Sequence, residues 1–67
     1  MKISVIGAGY LGATHAICMA SLGHEVVVVD NDSRKITQLN SGALPFFEPG
    51  LAELLDEVKS TNKIRFT

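Results

Sequence analysis

The sequence has no tryptophan, one tyrosine, one cysteine and two prolines in 67 residues, and its six Lys and Arg nearly balance seven Asp and Glu. Each shortage closes off a class of function. A net charge of −1 provides no basic face for nucleic acid or an anionic membrane, so neither is expected as a partner. The lone Cys18 can form no internal disulfide and no metal cluster. Such cysteine use fits a reducing compartment, and a cytoplasmic location is expected. No run approaches the ~20 apolar residues of a membrane span, and the apolar stretch from Ile3 to Ile6 is too short for the core of a secretory signal.

The composition is that of a globular core, with 46% hydrophobic and 19% charged residues and a positive mean hydropathy. The chain is short for a domain, and its last residues, Lys63-Ile64-Arg65-Phe66-Thr67, read as a strand just begun. Residues 1–67 are therefore expected to be part of a domain, a fragment of a longer chain.

The opening stretch, MKISVIGAGYLG, carries the most information. Lys2 to Ile6 reads as a short inner strand cut off by glycine. The pattern Gly7-x-Gly9-x-x-Gly12 then leads into a helix from about Tyr10 to Leu22. A helix N-terminus directed at one point in space holds an anion without basic side chains. This helix has almost no charge on any side, so burial of most of it is expected, Cys18 included as a small hydrophobe. Gly23 ends it.

Glu25 to Asp30 follows as a second strand, and its four consecutive valines predict cover on both faces. Strand, helix and strand make a βαβ unit with parallel neighbours. Asn31-Asp32-Ser33 is a capping cluster for a short helix from Arg34 to Asn40, with Ile36 and Leu39 inward and Gly42 at its close. An irregular loop from Ala43 to Gly50 contains both prolines, and Phe46 and Phe47 are expected to pin it to the body. Pro49 suits the first turn of a third helix, in which Leu51, Leu54, Leu55 and Val58 form one apolar stripe. A third strand starts near Ile64. The order βαβ-α-α-β defines an α/β fold, the N-terminal portion of a Rossmann doubly wound parallel sheet with strand order 3-2-1.

A glycine triplet alone is a weak signal. Here a strand precedes it, a helix follows it, and Asp30 stands 18 residues after Gly12, which is the context of a dinucleotide fingerprint. Gly7 permits the tight turn, Gly9 the approach of the pyrophosphate, and Gly12 the close packing of helix on strand. Asp30 is placed to accept hydrogen bonds from the adenosine ribose and would repel a 2′-phosphate, which favours NAD; the alternative is a strand-end cap. Arg34 and Lys35 pull the other way, since a basic residue there can pair with a 2′-phosphate. His15 and His24 have no partner cluster, and no metal site is expected. Glu48 has two open readings, a complement to the helix dipole or a functional carboxylate.

These residues resemble the UDP-glucose 6-dehydrogenase and GDP-mannose dehydrogenase group of nucleotide-sugar dehydrogenases. The similarity runs from Lys2 through Gly12, Gly23-His24-Glu25-Val26 and Asp30-Asn31-Asp32 to Leu39-Asn40-Ser41-Gly42 and Glu48-Pro49-Gly50-Leu51. The last two pieces are the most specific, and Leu11 and Ala13-Thr14 depart from the expected pattern. The resemblance implies NAD as cofactor, with Gly7, Gly9, Tyr10, Leu11, Gly12 and Asp30 as contacts and Lys35 near the ribose. It also implies that the full-length protein oxidises the C6 hydroxyl of a nucleotide sugar, UDP-glucose above all, to a carboxylate with two NAD and a downstream cysteine. No catalytic residue of that kind falls in these 67 residues, so the fragment alone is not expected to catalyse. A hydroxyacid or hydroxyacyl dehydrogenase and a non-catalytic nucleotide sensor are the alternatives. The first strand, left as an unpaired apolar edge, is expected to cause self-association.

Overall fold

The computed structural model describes residues 1–44 and 46–67; the sequence reading of Pro45 lies outside them. The elements run β1 (Lys2–Ile6), α1 (Tyr10–Ser21), β2 (Glu25–Val29), α2 (Ser33–Asn40), α3 (Leu51–Ser60) and β3 (Ile64–Phe66). The sheet is parallel in the order β1-β2-β3, as the strand order 3-2-1 requires. Ile3 pairs with Val26 and Val28 with Phe66, so the inward residues of all three strands share one face.

Both crossovers step in the same direction along the sheet. Because each such connection is right-handed, all three helices lie on one face. Val26, Val28, Ile64 and Phe66 are buried there against Ala16, Ile17, Ala20, Leu39, Leu55 and Val58, while Ile3 and Val5 are half-buried. The other face is open: Lys2, Ser4, Ile6, Glu25, Val29 and Arg65 are exposed. The expectation that the valines of β2 are covered on both sides therefore fails. Two crossovers of one hand cover only one face, and Ile6 remains 80% exposed.

The burial expected for α1 also needs correction. Its inward stripe is Ala13, Ala16, Ile17 and Ala20, spaced i, i+3, i+4, i+7. Small side chains on that stripe let the helix lie close to the sheet and to α3. The face holding Leu11, His15, Cys18 and Leu22 points outward, and Leu11 is 81% exposed. Cys18 is consequently an exposed thiol.

Helix α2 starts at an Asp32 cap whose carboxylate accepts from the Arg34 and Lys35 amides at 3.0 and 3.4 Å. Pro49 lies outside α3, contrary to its expected place in the first turn. It holds the second position of a turn closed by Leu51 N–H donating to the Glu48 carbonyl at 3.1 Å. Gly50 follows at φ 82°, ψ −13°, the third position of a type II turn, where an L side chain is strained. Leu51, Leu55 and Val58 are buried and Leu54 is half-buried, as the stripe predicts. Of the two aromatics in the loop, Phe46 packs against the core, whereas Phe47 is 87% exposed.

Candidate dinucleotide site

Parallel register brings the ends of β1 and β2 together, since Ile6 pairs with Val29. The residues just beyond them, Gly7-Ala8 and Asp30, therefore meet. Gly7 turns the chain at φ 100°, a conformation favouring glycine, and its N–H donates to the Val29 carbonyl at 2.7 Å. Gly9 then caps α1 with its carbonyl, which accepts from Ala13 N–H at 2.8 Å.

The start of α1 has no side-chain cap, and no acidic residue stands in its first turn. Its leading N–H groups, those of Tyr10, Leu11 and Gly12, have no acceptor earlier in the helix, which is the usual condition for anion binding. The three glycines differ in their surroundings. A Cβ on Gly7 or Gly9 would meet nothing within 4 Å, whereas one on Gly12 would lie 2.1 Å from the Gly7 carbonyl oxygen. The space over the first two is open to a ligand, and the third is closed by the protein's own backbone. A pyrophosphate fits this arrangement.

Asp30 does something the sequence reading did not foresee. Its Oδ2 accepts from Ala8 N–H at 2.7 Å and its Oδ1 from Asp32 N–H at 2.7 Å. One carboxylate thus fastens the glycine turn of β1 to the start of α2. A carboxylate has about four lone-pair sites, so acceptor capacity remains for ribose hydroxyls. The bond from Ala8, then that from Asp32 and the nearby Lys35 charge, hold its pKa below the usual carboxylate range, despite an opposing contribution from burial. Adjacent parallel strand ends could have predicted this contact, because whatever follows β2 must face whatever follows β1.

A pKa lowered by folding makes the Asp30 clamp a stabilising contact above the ordinary carboxylate pKa and removes it as pH falls through the lowered native value. We expect Asp30→Asn to unfold at lower urea than the wild type at neutral pH. The gap should begin to close below about pH 4. Equal midpoints at neutral pH would show that the clamp contributes nothing.

Lys35 is half-buried at the first turn of α2, and its charge acts on Asp30. Arg34 is 95% exposed in its side chain and only 3.9 Å from Asp32, a surface pair of little energetic weight. Leu11 projects outward beside the turn, and the Tyr10 ring lies tilted against Phe46 while its hydroxyl donates to Glu48. The structure thus gathers Gly7, Gly9, Tyr10, Leu11, Gly12, Asp30 and Lys35 around the C-terminal ends of β1 and β2. It also adds Glu48, whose role the sequence left open. A hollow on the open sheet face, lined by Lys2, Ser4, Glu25, Val27, Lys63 and Arg65, lies toward the opposite ends of the strands. Ligands of open parallel sheets bind at the carboxyl ends, so that hollow is not the site. Among the described residues no cluster suits a metal ion, and no helix is long and apolar enough to cross a membrane.

A strand ending in a glycine turn, a helix with free leading amides and an acid closing the adjacent parallel strand define a dinucleotide-binding domain of the Rossmann class. Comparison with known proteins gives the family. The chain belongs to the UDP-glucose/GDP-mannose dehydrogenase family, whose NAD binding domain matches residues 1–67. It is 46% identical over its full length to a UDP-glucose 6-dehydrogenase of Rhizobium meliloti and 52% identical to a GDP-mannose 6-dehydrogenase of Pseudomonas syringae pv. syringae, in each case covering 15% of the relative. The crystal structure of a GDP-mannose dehydrogenase from Pseudomonas aeruginosa in a ternary complex superposes with a TM-score of 0.95 at 45% identity, over all of this chain and 15% of that one. A UDP-D-ManNAc dehydrogenase from Pyrococcus horikoshii gives 0.95 at 42%, over all of this chain and 16% of that one. The chain therefore spans about one-seventh of the length of the relatives it matches. NAD is the dinucleotide of this domain.

Proposed function

We propose that residues 1–67 hold the adenosine and pyrophosphate half of NAD within a longer nucleotide-sugar dehydrogenase. The observation that carries this is the open glycine turn fastened by Asp30, in a chain matched from end to end by the family's NAD-binding domain. Gly7, Gly9, Gly12 and the leading amides of α1 would cradle the pyrophosphate, with Tyr10 and Leu11 beside it. Asp30 would accept from the ribose hydroxyls, with Lys35 adjacent. When bound, NAD supplies the hydride acceptor. The proposed reaction of the whole protein is oxidation of a sugar-nucleotide primary alcohol, with UDP-glucose as substrate and GDP-mannose as the competing possibility. Turnover of one and not the other by the whole protein decides between them.

In calorimetry, the 67-residue chain should bind ADP-ribose and gain little more from NAD, because the nicotinamide pocket of such folds lies beyond the first half of the sheet. Asp30→Asn should weaken ADP-ribose about tenfold. NAD bound far more tightly than ADP-ribose would overturn this division of the site.

The domain boundary is a proposal of the same kind. We infer that further chain covers the open sheet face and the outer face of α1 in the whole protein, which is supported by the exposure of Ile6, Leu11 and Val29. In the 67-residue chain those surfaces and the outer edge of β1 are bare, so self-association is expected. Sedimentation showing a monomer at every concentration would count against it.

A further inference from the structure

One contact ties the glycine turn to a distant segment. Tyr10, the first residue of α1, donates its hydroxyl to Glu48 Oε2 across 38 positions of sequence. Its ring lies against Phe46, with centroids 4.8 Å apart and planes inclined by 49°. Glu48 is committed on its other side as well, since its carbonyl closes the turn that starts α3. A single residue therefore has its side chain on the first turn of α1 and its backbone at the entrance of α3. The hydrogen bond it donates to the carboxylate, with burial and the Glu48 charge as further causes, raises the phenol pKa above its ordinary value. A phenol of ordinary pKa is already protonated at neutral pH, so Tyr10 is the donor of this pair.

We propose that Glu48 is a positioning residue for the dinucleotide site, acting through the Tyr10 hydroxyl to hold the 46–50 loop as a wall beside the glycine turn. The proposal rests on the dinucleotide reading above. Phenol to carboxylate is a charge-assisted bond, the stronger kind. It orders a loop that a ligand touching Tyr10 would otherwise have to order on binding, and a preordered surface binds more tightly. It also directs the carboxylate at a donor, which tempers its repulsion of a pyrophosphate at the adjoining turn. Linkage makes the effect mutual, so a ligand that gains from the contact strengthens it.

The chain has one tyrosine and no tryptophan, so its tyrosinate absorbance reports on Tyr10 alone. The test measures ADP-ribose affinity in the wild type, Tyr10→Phe, Glu48→Ala, Glu48→Gln and the Tyr10→Phe/Glu48→Ala double variant, and the alkaline titration of the phenol in the three of these that keep Tyr10. Tyr10→Phe keeps the aromatic contact and removes only the hydroxyl. Tyr10→Phe and Glu48→Ala should each weaken ADP-ribose about three- to tenfold. The double variant should lose no more than either single one, because both remove the same bond. Glu48→Gln keeps an acceptor and should recover part of the affinity, with a phenol titrating between those of the wild type and Glu48→Ala. Full affinity in both single variants, or losses that multiply in the double variant, would overturn the positioning role and leave the dinucleotide reading intact. A wild-type chain that binds no ADP-ribose would overturn both, while an unchanged phenol titration in Glu48→Ala would overturn the contact itself.

Discussion

Gly12→Ala should destabilise the chain severely and abolish nucleotide binding. A Cβ at this position would lie 2.1 Å from the Gly7 carbonyl oxygen, 3.3 Å from its carbon and 3.5 Å from Val5 Cγ1. The first two are backbone atoms of the tight turn and cannot swing aside as a side-chain tip would. Either α1 lifts from β1 or the turn opens. Overpacking of this kind costs about 1–3 kcal/mol and sometimes more. Stability of roughly 0.05–0.15 kcal/mol per residue gives a chain this short little in reserve. Whichever way the strain is relieved, the leading amides of α1 move away from the turn they share with Gly7 and Gly9. Gly9→Ala is the control. Its backbone φ of −72° suits alanine and its Cβ would meet nothing within 4 Å, so folding should be unaffected. That Cβ would occupy the space proposed for the pyrophosphate, and ADP-ribose affinity should fall more than tenfold. Urea unfolding and calorimetry separate the two variants. Wild-type stability in Gly12→Ala, or wild-type affinity in Gly9→Ala, would contradict this assignment of the glycines.

The second large effect is expected at Leu55. Its side chain has no exposed surface and joins α3 to the core that Ile17, Val26, Val28 and Leu39 share. Leu→Ala at such a site costs about 2–5 kcal/mol, from lost burial and from the cavity left behind. That is a large part of the roughly 3–10 kcal/mol that a chain of this length holds in total. Far-ultraviolet circular dichroism should show a largely unfolded population, or a urea midpoint lowered by half or more. Leu11→Ala, at 81% exposure, should change stability by no more than about 0.5 kcal/mol. Equal effects at the two leucines would mean that the core does not lie where the structure places it.

The contrast between Leu55 and Leu11 also shows what was legible in the sequence. Leu51, Leu55 and Val58 stand out because acids occupy the opposite side of α3, so the stripe has only one way to face. Helix α1 offers no such contrast. With hydrophobic residues all around, its sequence could not distinguish the alanine stripe that packs inward from the Leu11–Cys18–Leu22 side that does not. The valines of β2 misled for a related reason, since apolar residues on both faces of a strand record a preference for burial and not what covers each face. The glycine turn was readable because each glycine follows from a strand ending and a helix starting. The Asp30 clamp and the Tyr10–Glu48 contact were harder, because each joins segments distant in sequence. Glu48 stood out only as an acid before Pro-Gly, and nothing local indicated that its partner would be Tyr10.

The parallel register has a kinetic consequence. Lys2 pairs with Glu25, whereas Val26 must wait for Ile64, so the first strand pair closes a shorter loop than the second. During synthesis from the N-terminus, the β1–α1–β2 unit is available while α3 and β3 are still to be made. That unit already contains the glycine turn and Asp30, so the nucleotide cradle can assemble before the segment bearing Glu48 exists to brace it.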